Sequence, residues 1–235
     1  MAGRAGSLKQ TMDSPAKPSK TTSAAPAAPS VSREERLTAW LTANARFVAI
    51  GAAAVVLVVL VTWFMAASGR RKANFARQAL ESAWGSADAG NIPQASAELQ
   101  RVAATYRGTE AAVEATLSLN QTRLIAGQNQ LAVDDLRRFL QDRPPARFVA
   151  SGNMLLGAAL ENLGKSGEAA EAYMAASAAA EMSHTKAEAL LAAGRTYRAA
   201  GQNDKAIHAY RTVVDQHKET AAFPIAEVRL GELVK

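Results

Sequence analysis

The sequence predicts an all-α protein: one transmembrane helix near the N-terminus, then an α-solenoid of about four helix pairs with a capping helix. Three observations carry this. Phe47–Ala67 holds no charged residue. From Ala73 onward Ala, Leu, Glu, Gln and Arg dominate, and strand-like alternation is absent. Gly90, Gly127, Gly164 and Gly201 stand 37 residues apart, so one structural unit recurs.

Residues 1–32 are interrupted by Pro15, Pro18, Pro26 and Pro29 within an Ala-, Ser-, Thr- and Lys-rich stretch. Such a segment buries too little apolar surface to offset chain ordering, so a disordered solubilising tail is expected. Over 33–46 a juxtamembrane amphipathic helix is expected. Ser32 and Glu35 form a capping box, and Leu37, Trp40 and Leu41 supply an apolar stripe. The span follows at 47–67; as a helix it reaches roughly 31 Å, close to the ~30 Å hydrocarbon core. Trp63 and Phe64 near one end and Trp40 ahead of the other suit the headgroup regions. A buried core helix is disfavoured because nothing else in the chain is apolar enough to surround it. A cleaved signal peptide is disfavoured because the leader and the apolar run are both too long. With no cysteine in the chain, a lipid-modified anchor after Ala67 is not expected.

Charge sets limits on function. The net charge is +6, but residues 1–46 hold seven Lys/Arg against three acids, and Arg70–Lys235 hold 20 against 18. The basic balance therefore resides mainly in the tail and gives little reason to expect nucleic acid. Arg33, Arg36 and Arg46 precede the span, and Arg70, Arg71, Lys72 and Arg77 follow it, so flanking charge does not orient it.

The repeat extends beyond its glycines. Five residues after each come Ala95, Ala132, Ala169 and Ala206. Nine after come Leu99, Leu136, Tyr173 and Tyr210, and twelve after come Val102, Phe139, Ala176 and Val213. Gly157 and Gly194 lie seven before their turn glycines, and Leu160 and Tyr197 lie four before. The small residues let paired helices approach, the large ones fill the seams, and each turn glycine ends a helix in a left-handed conformation. The expected pairs are Asn74–Asp88 with Ile92–Thr105, Thr109–Ala126 with Gln128–Gln141, Ala146–Leu163 with Lys165–Met182, and Thr185–Ala200 with Gln202–Gln216. Thr220–Val234 is the expected capping helix, with Pro224 in its first turn.

This pattern resembles tetratricopeptide (TPR) helix pairs over 73–235, with Gly157–Tyr173 and Gly194–Tyr210 as the best matches. The usual period is 34, so 37 implies longer connections, near Asp142–Pro145 and Glu181–Thr185. The first two units depart from it: Ala83 and Asn120 replace the packing glycine, and Ser86 and Arg123 replace the large residue. Within such a solenoid the inner surface is built by the first helix of each pair. Residues six and three before the turn glycine would face inward: Gln121 and Leu124, Ala158 and Glu161, Arg195 and Arg198. That makes a candidate peptide-binding groove, amide and apolar at its start and basic at its end, suited to an extended or acidic segment.

Taken together, Trp40, a span ending in Trp63-Phe64, Arg70-Arg71-Lys72 and helix pairs beginning Ala73-Asn74-Phe75 resemble the YfgM-like ancillary subunits of the SecYEG translocon. The resemblance covers Arg33–Lys235 and leaves out the Pro-rich tail. It implies a single-pass protein of the bacterial inner membrane, with a cytoplasmic N-terminus and a periplasmic TPR-like domain. It also implies protein partners, the translocon and periplasmic chaperones, beside the lipid bilayer. The alternative is a scaffold or tether for envelope biogenesis, secretion or division.

Catalytic patterns are not found. His184, His208 and His217 show no metal-ligand spacing and read as surface or helix-end residues. There is no nucleophile elbow and no phosphate loop, and Arg137-Arg138 near a helix end complement its dipole. The expectation is a non-enzymatic scaffold with no cofactor, no metal, no small-molecule substrate and no nucleic acid.

Overall fold

The computed structural model describes residues 32–234, and their regular structure is helical throughout. In chain order the helices are α1 (Arg33–Ala43), α2 (Ala45–Asp88), α3 (Ile92–Thr105), α4 (Glu110–Ile125) and α5 (Asn129–Gln141). They continue with α6 (Ala146–Asn162), α7 (Ser166–Ala179), α8 (Ser183–Ala199), α9 (Asn203–Gln216) and α10 (Ala222–Leu233). The expected tail falls outside the described residues except for Ser32. Contacts divide the described residues into two units, with the division between Val59 and Leu60.

Helix α1 starts at a reciprocal capping box. Glu35 N donates to Ser32 Oγ at 3.2 Å, and Ser32 N donates to Glu35 Oε2 at 3.0 Å. Asn44 closes it, its Nδ2 donating to the Trp40 carbonyl at 2.9 Å. Helix α2 then runs for 44 residues and is long and apolar enough to cross a membrane. The large side chains of its apolar run, among them Phe47, Ile50, Leu57, Trp63 and Phe64, are exposed.

No break precedes the first repeat helix. An independent start at Asn74 was expected; instead residues 69–73 are helical and the repeat helix is the end of α2. The physical reason is local, since Arg70, Arg71, Lys72 and Ala73 are good helix formers and no proline intervenes.

From there the helices alternate around the turn glycines. Gly90, Gly127, Gly164 and Gly201 have φ of 78°, 73°, 72° and 72°. Each turn carries the same two hydrogen bonds, for example Gln202 N to the Tyr197 carbonyl at 2.9 Å and Gly201 N to the Arg198 carbonyl at 3.0 Å. This is a Schellman closure, which satisfies carbonyls that a helix end leaves open.

The core is alanine-rich and falls into two clusters. The first joins Ala76, Leu80 and Ala83 of α2 to Leu99 and Val102 of α3 and to Ala111, Ala115 and Leu119 of α4. The second runs from Ala132, Val133 and Leu136 of α5 to Ala222 and Ala226 of α10. Small residues permit close helix approach, and the seam tyrosines Tyr173, Tyr197 and Tyr210 are buried against them. A Cβ built on Gly157 would lie 2.7 Å from the Tyr173 ring, and one on Gly194 would lie 2.5 Å from the Tyr210 ring. The remaining repeat positions Ala95, Leu99, Ala132, Leu136, Ala169, Tyr197 and Ala206 are buried.

Burial leaves a titration signature. It pushes the Tyr173 phenol up to about 12. It does the same to Tyr197, also to about 12, helped by a hydrogen bond to Glu171. A folded pKa above the ordinary value of about 10 favours the neutral phenol. That contribution to stability is fully present below about pH 10 and is lost between about pH 10 and about pH 12. Absorbance titration with circular dichroism should therefore show helix loss accompanying the delayed phenol ionisation. All four tyrosines titrating near the ordinary value, with helicity unchanged, would contradict the packing.

Neighbouring units are joined by contacts 34 residues apart. These include Trp84 Nε1 to Ser118 Oγ at 3.2 Å, Lys205 Nζ to Glu171 Oε1 at 2.8 Å, and Arg198 NH1 to Glu232 Oε2 at 2.6 Å. Against a period of 37, such pairs link positions one helical turn out of phase in successive units. The Arg198–Glu232 pair places α10 where the first helix of a further unit would lie. Gly231, 37 residues after Gly194, sits at its packing position, yet nothing stands within 4 Å of a Cβ built there.

Candidate functional site

The candidate groove lies on the face of the first helices α4, α6 and α8. Spacing of 3.6 residues per turn puts Gln121 and Leu124 on one face of α4, Ala158 and Glu161 on one face of α6, and Arg195 and Arg198 on one face of α8. Gln121 is exposed, Ala158 and Leu124 are half-buried, and Leu124 packs against the core. Leu117, Met154 and Leu191, ten residues before successive turn glycines, are partly buried beside them and form an apolar floor.

The far end differs from the sequence expectation in its charge. Arg195 donates from both terminal nitrogens of its guanidinium to Glu161, NH1 to Oε1 and NH2 to Oε2, the latter at 3.0 Å. Arg198 donates to Glu232, which also takes Arg229 at 3.2 Å. These arginines hold the Glu232 carboxyl below the usual carboxylate range, Arg198 most strongly. Glu161 further accepts the Tyr173 hydroxyl at 3.1 Å, tying a groove arginine to the seam that closes on Gly157. The expected basic end is thus a row of matched pairs.

Three groove residues escaped the sequence reading. Trp84, Gln121, Ala158, Arg195 and Glu232 are spaced by the same 37 residues, so Trp84 and Glu232 extend the six-before-glycine row at either end. Ala87 similarly extends the row of Leu124, Glu161 and Arg198. Continuing the period into α2 and α10 would have found all three.

The histidines separate into two kinds. His184 and His208 are exposed, whereas His217, expected at a surface or helix end, is buried at the end of α9. Its Nδ1 lies 2.8 Å from Ser183 Oγ, and that hydroxyl also donates to Glu219. The trio fastens the start of α8 to the chain after α9. Among the described residues no group of three or more His, Asp or Glu has metal-binding geometry.

Known proteins share this architecture. Residues 188–220 match the tetratricopeptide repeat family. Two crystal structures of nearly identical TPR-like repeats, from a Podosopora anserina protein described as a kinesin light chain, align with 67% of this chain and 84% of theirs. Their TM-scores are both 0.54, at 20% and 19% identity, a likeness of fold. No curated protein matches the chain significantly. The chain carries tetratricopeptide repeats in an all-α, TPR-like solenoid, a fold suited to protein–protein interaction, and neither match indicates a catalytic family.

Proposed function

We propose that this chain is a membrane-anchored scaffold whose TPR-like helix pairs hold a partner protein at a bacterial inner membrane. The supporting observation is α2, a single helix holding both the exposed apolar run and Ala76, Leu80 and Ala83 of the first core. Among the described residues the large side chains of that run are exposed, and lipid is the solvent that suits them. The reading takes 47–67 as the span, 33–46 as a juxtamembrane helix and 73–235 as the repeat domain. A cytoplasmic N-terminus and a periplasmic repeat domain follow from the YfgM-like resemblance, as do the SecYEG translocon and periplasmic chaperones as partners.

Topology is tested by fusing a reporter active only in the periplasm after Lys235 and by alkaline extraction of membranes. The expected result is an active reporter and a chain retained in the membrane pellet. Signal from a cytoplasm-only reporter would reverse the orientation, and release of the intact chain on extraction would remove the anchor.

Within the repeat domain, the apolar floor and the exposed amide of Gln121 suit an extended peptide. At the far end a partner carboxylate must compete with Glu161 and Glu232 for the arginines. Replacing Arg195 and Arg198 together by alanine should lower partner recovery in a pull-down several-fold while the domain stays folded. The arginine side chains are 58% and 44% exposed, and exposed pairs contribute only ~0–1 kcal/mol each. Equal recovery by a folded double variant would confine binding to the apolar part of the groove.

A further inference from the structure

A second surface lies along α4. The residues of α4 that line it are Ala112, Val113, Thr116, Leu119 and Arg123; at 3.6 residues per turn all but Val113 fall roughly half a turn from Gln121, while Val113 lies on the side of Leu124. Between α3, α4, α5 and the two connections that follow α3 and α5 there is an open cleft of about 650 Å³. Its charged lining is Arg107, Arg123, Arg138 and Arg143 against Asp135 and Asp142.

The cleft has a cause in the sequence. Where the third and fourth units seat a tyrosine on a glycine, the second has Leu136 and Asn120, and Arg123 stands where Leu160 and Tyr197 stand. The gap between the two core clusters coincides with this seam. Asn120, fully buried, donates to the Thr116 carbonyl at 2.8 Å and to Asp135 at 3.0 Å. Arg123 donates to the same Asp135 oxygen at 2.8 Å and to Asn120 at 3.1 Å. This network is internally satisfied and uses up the Asp135 charge.

Three arginines are left for a ligand. Arg138 stands 3.7 Å from Asp135, beyond hydrogen-bond reach, with 71% of its side chain exposed. Arg107 and Arg143 have no ion-pair partner among the described residues. Arg143 is also the one non-glycine with positive φ among the described residues, at 54°, and it precedes Pro144 and Pro145. L-residues seldom adopt that conformation, and here it accompanies an arginine lining the cleft. The corresponding connections of the third and fourth units carry Glu181-Met182 and His217-Lys218.

We propose that this cleft docks an acidic, extended segment of a partner protein. Guanidinium forks match carboxylates in geometry as well as charge. The three arginines come from three separate segments: the α3–α4 connection, the end of α5 and the α5–α6 connection. A ligand meeting all three must carry several carboxylates along its length, as an Asp/Glu-rich segment does. Phe139, Pro144 and Pro145 add apolar wall for the peptide stem.

The test is fluorescence anisotropy of labelled hexaglutamate with the full chain in nonionic detergent, using hexalysine as the opposite-charge control. Saturable binding of hexaglutamate alone is expected, weakening with salt. Arg138→Ala with Arg143→Ala should weaken it at least about tenfold, and Arg107→Ala should weaken it on its own. Arg211→Ala with Lys218→Ala, an exposed pair of equal charge elsewhere, should leave it unchanged. Should the Arg138/Arg143 variant lose helicity, the Arg107 variant decides. Absence of saturable binding overturns the proposal, as does equal loss in the distant control pair. So does displacement by inorganic phosphate but not by chloride of equal ionic strength, which would mark a simple anion site.

Discussion

Replacing Gly194 by leucine should lower the stability of the repeat domain by about 1–3 kcal/mol, the usual range for overpacking a close seam. The Cβ alone would stand 2.5 Å from the Tyr210 ring, and that ring is 1% exposed and held in the second core cluster. It cannot swing into solvent without uncovering the seam between α8 and α9. Gly157→Leu should act likewise against Tyr173, at 2.7 Å. Gly231 supplies a control at the same phase of the repeat. With nothing within 4 Å of its Cβ position, Gly231→Ala should instead gain about 0.5–1 kcal/mol from helix propensity. Thermal melts of a fragment covering 73–235 would show the opposite signs. A loss at Gly231 equal to that at Gly194 would contradict the open space around Gly231.

Tyr210→Ala should cost more, about 3–5 kcal/mol by the range for deleting large buried aromatic side chains. Among the described residues Tyr210 is the largest fully buried side chain, and its contacts tie α9 to α8. Against a typical domain stability of ~5–15 kcal/mol, such a loss leaves the fold marginal. The effect should also couple to the glycine. In the Gly194→Leu, Tyr210→Ala double variant, leucine enters the space the ring vacates, so the combined loss should fall short of additivity by about 0.5–3 kcal/mol. Denaturant unfolding of the four proteins measures this, and strict additivity would show that the two side chains do not share a seam.

How far the sequence could be read depended on the range of each interaction. Turn glycines with their Schellman bonds are local, and the spacing of Gly90 through Gly201 sufficed to place the helix pairs. Helix continuity across Arg70–Ala73 differs from the expected start at Asn74, since those residues are themselves helix formers. The groove charges were less accessible. Arg195 with Glu161 and Arg198 with Glu232 meet across 34 residues, and the one-turn offset between units that brings them together is a packing property absent from the 37-residue period. The departures Asn120 and Arg123 were visible as breaks in the pattern. That Asp135 answers both of them, leaving an arginine-lined cleft beside them, depends on how α4 and α5 pack. His217 does sit at a helix end, but its burial was not legible because nothing in its neighbourhood along the chain announces Ser183 as its partner.

The scaffold account is tested most directly by site-specific photocrosslinking in intact bacterial membranes, with the reactive group placed in turn at Gln121, Ala158 and, as an outer-surface control, Arg211. The account predicts discrete protein adducts from Gln121 and Ala158, to a translocon subunit or a periplasmic chaperone, and none of these from Arg211. Adducts of equal yield from all three positions, or none from the two groove positions in a chain shown to be folded and membrane-bound, would contradict it.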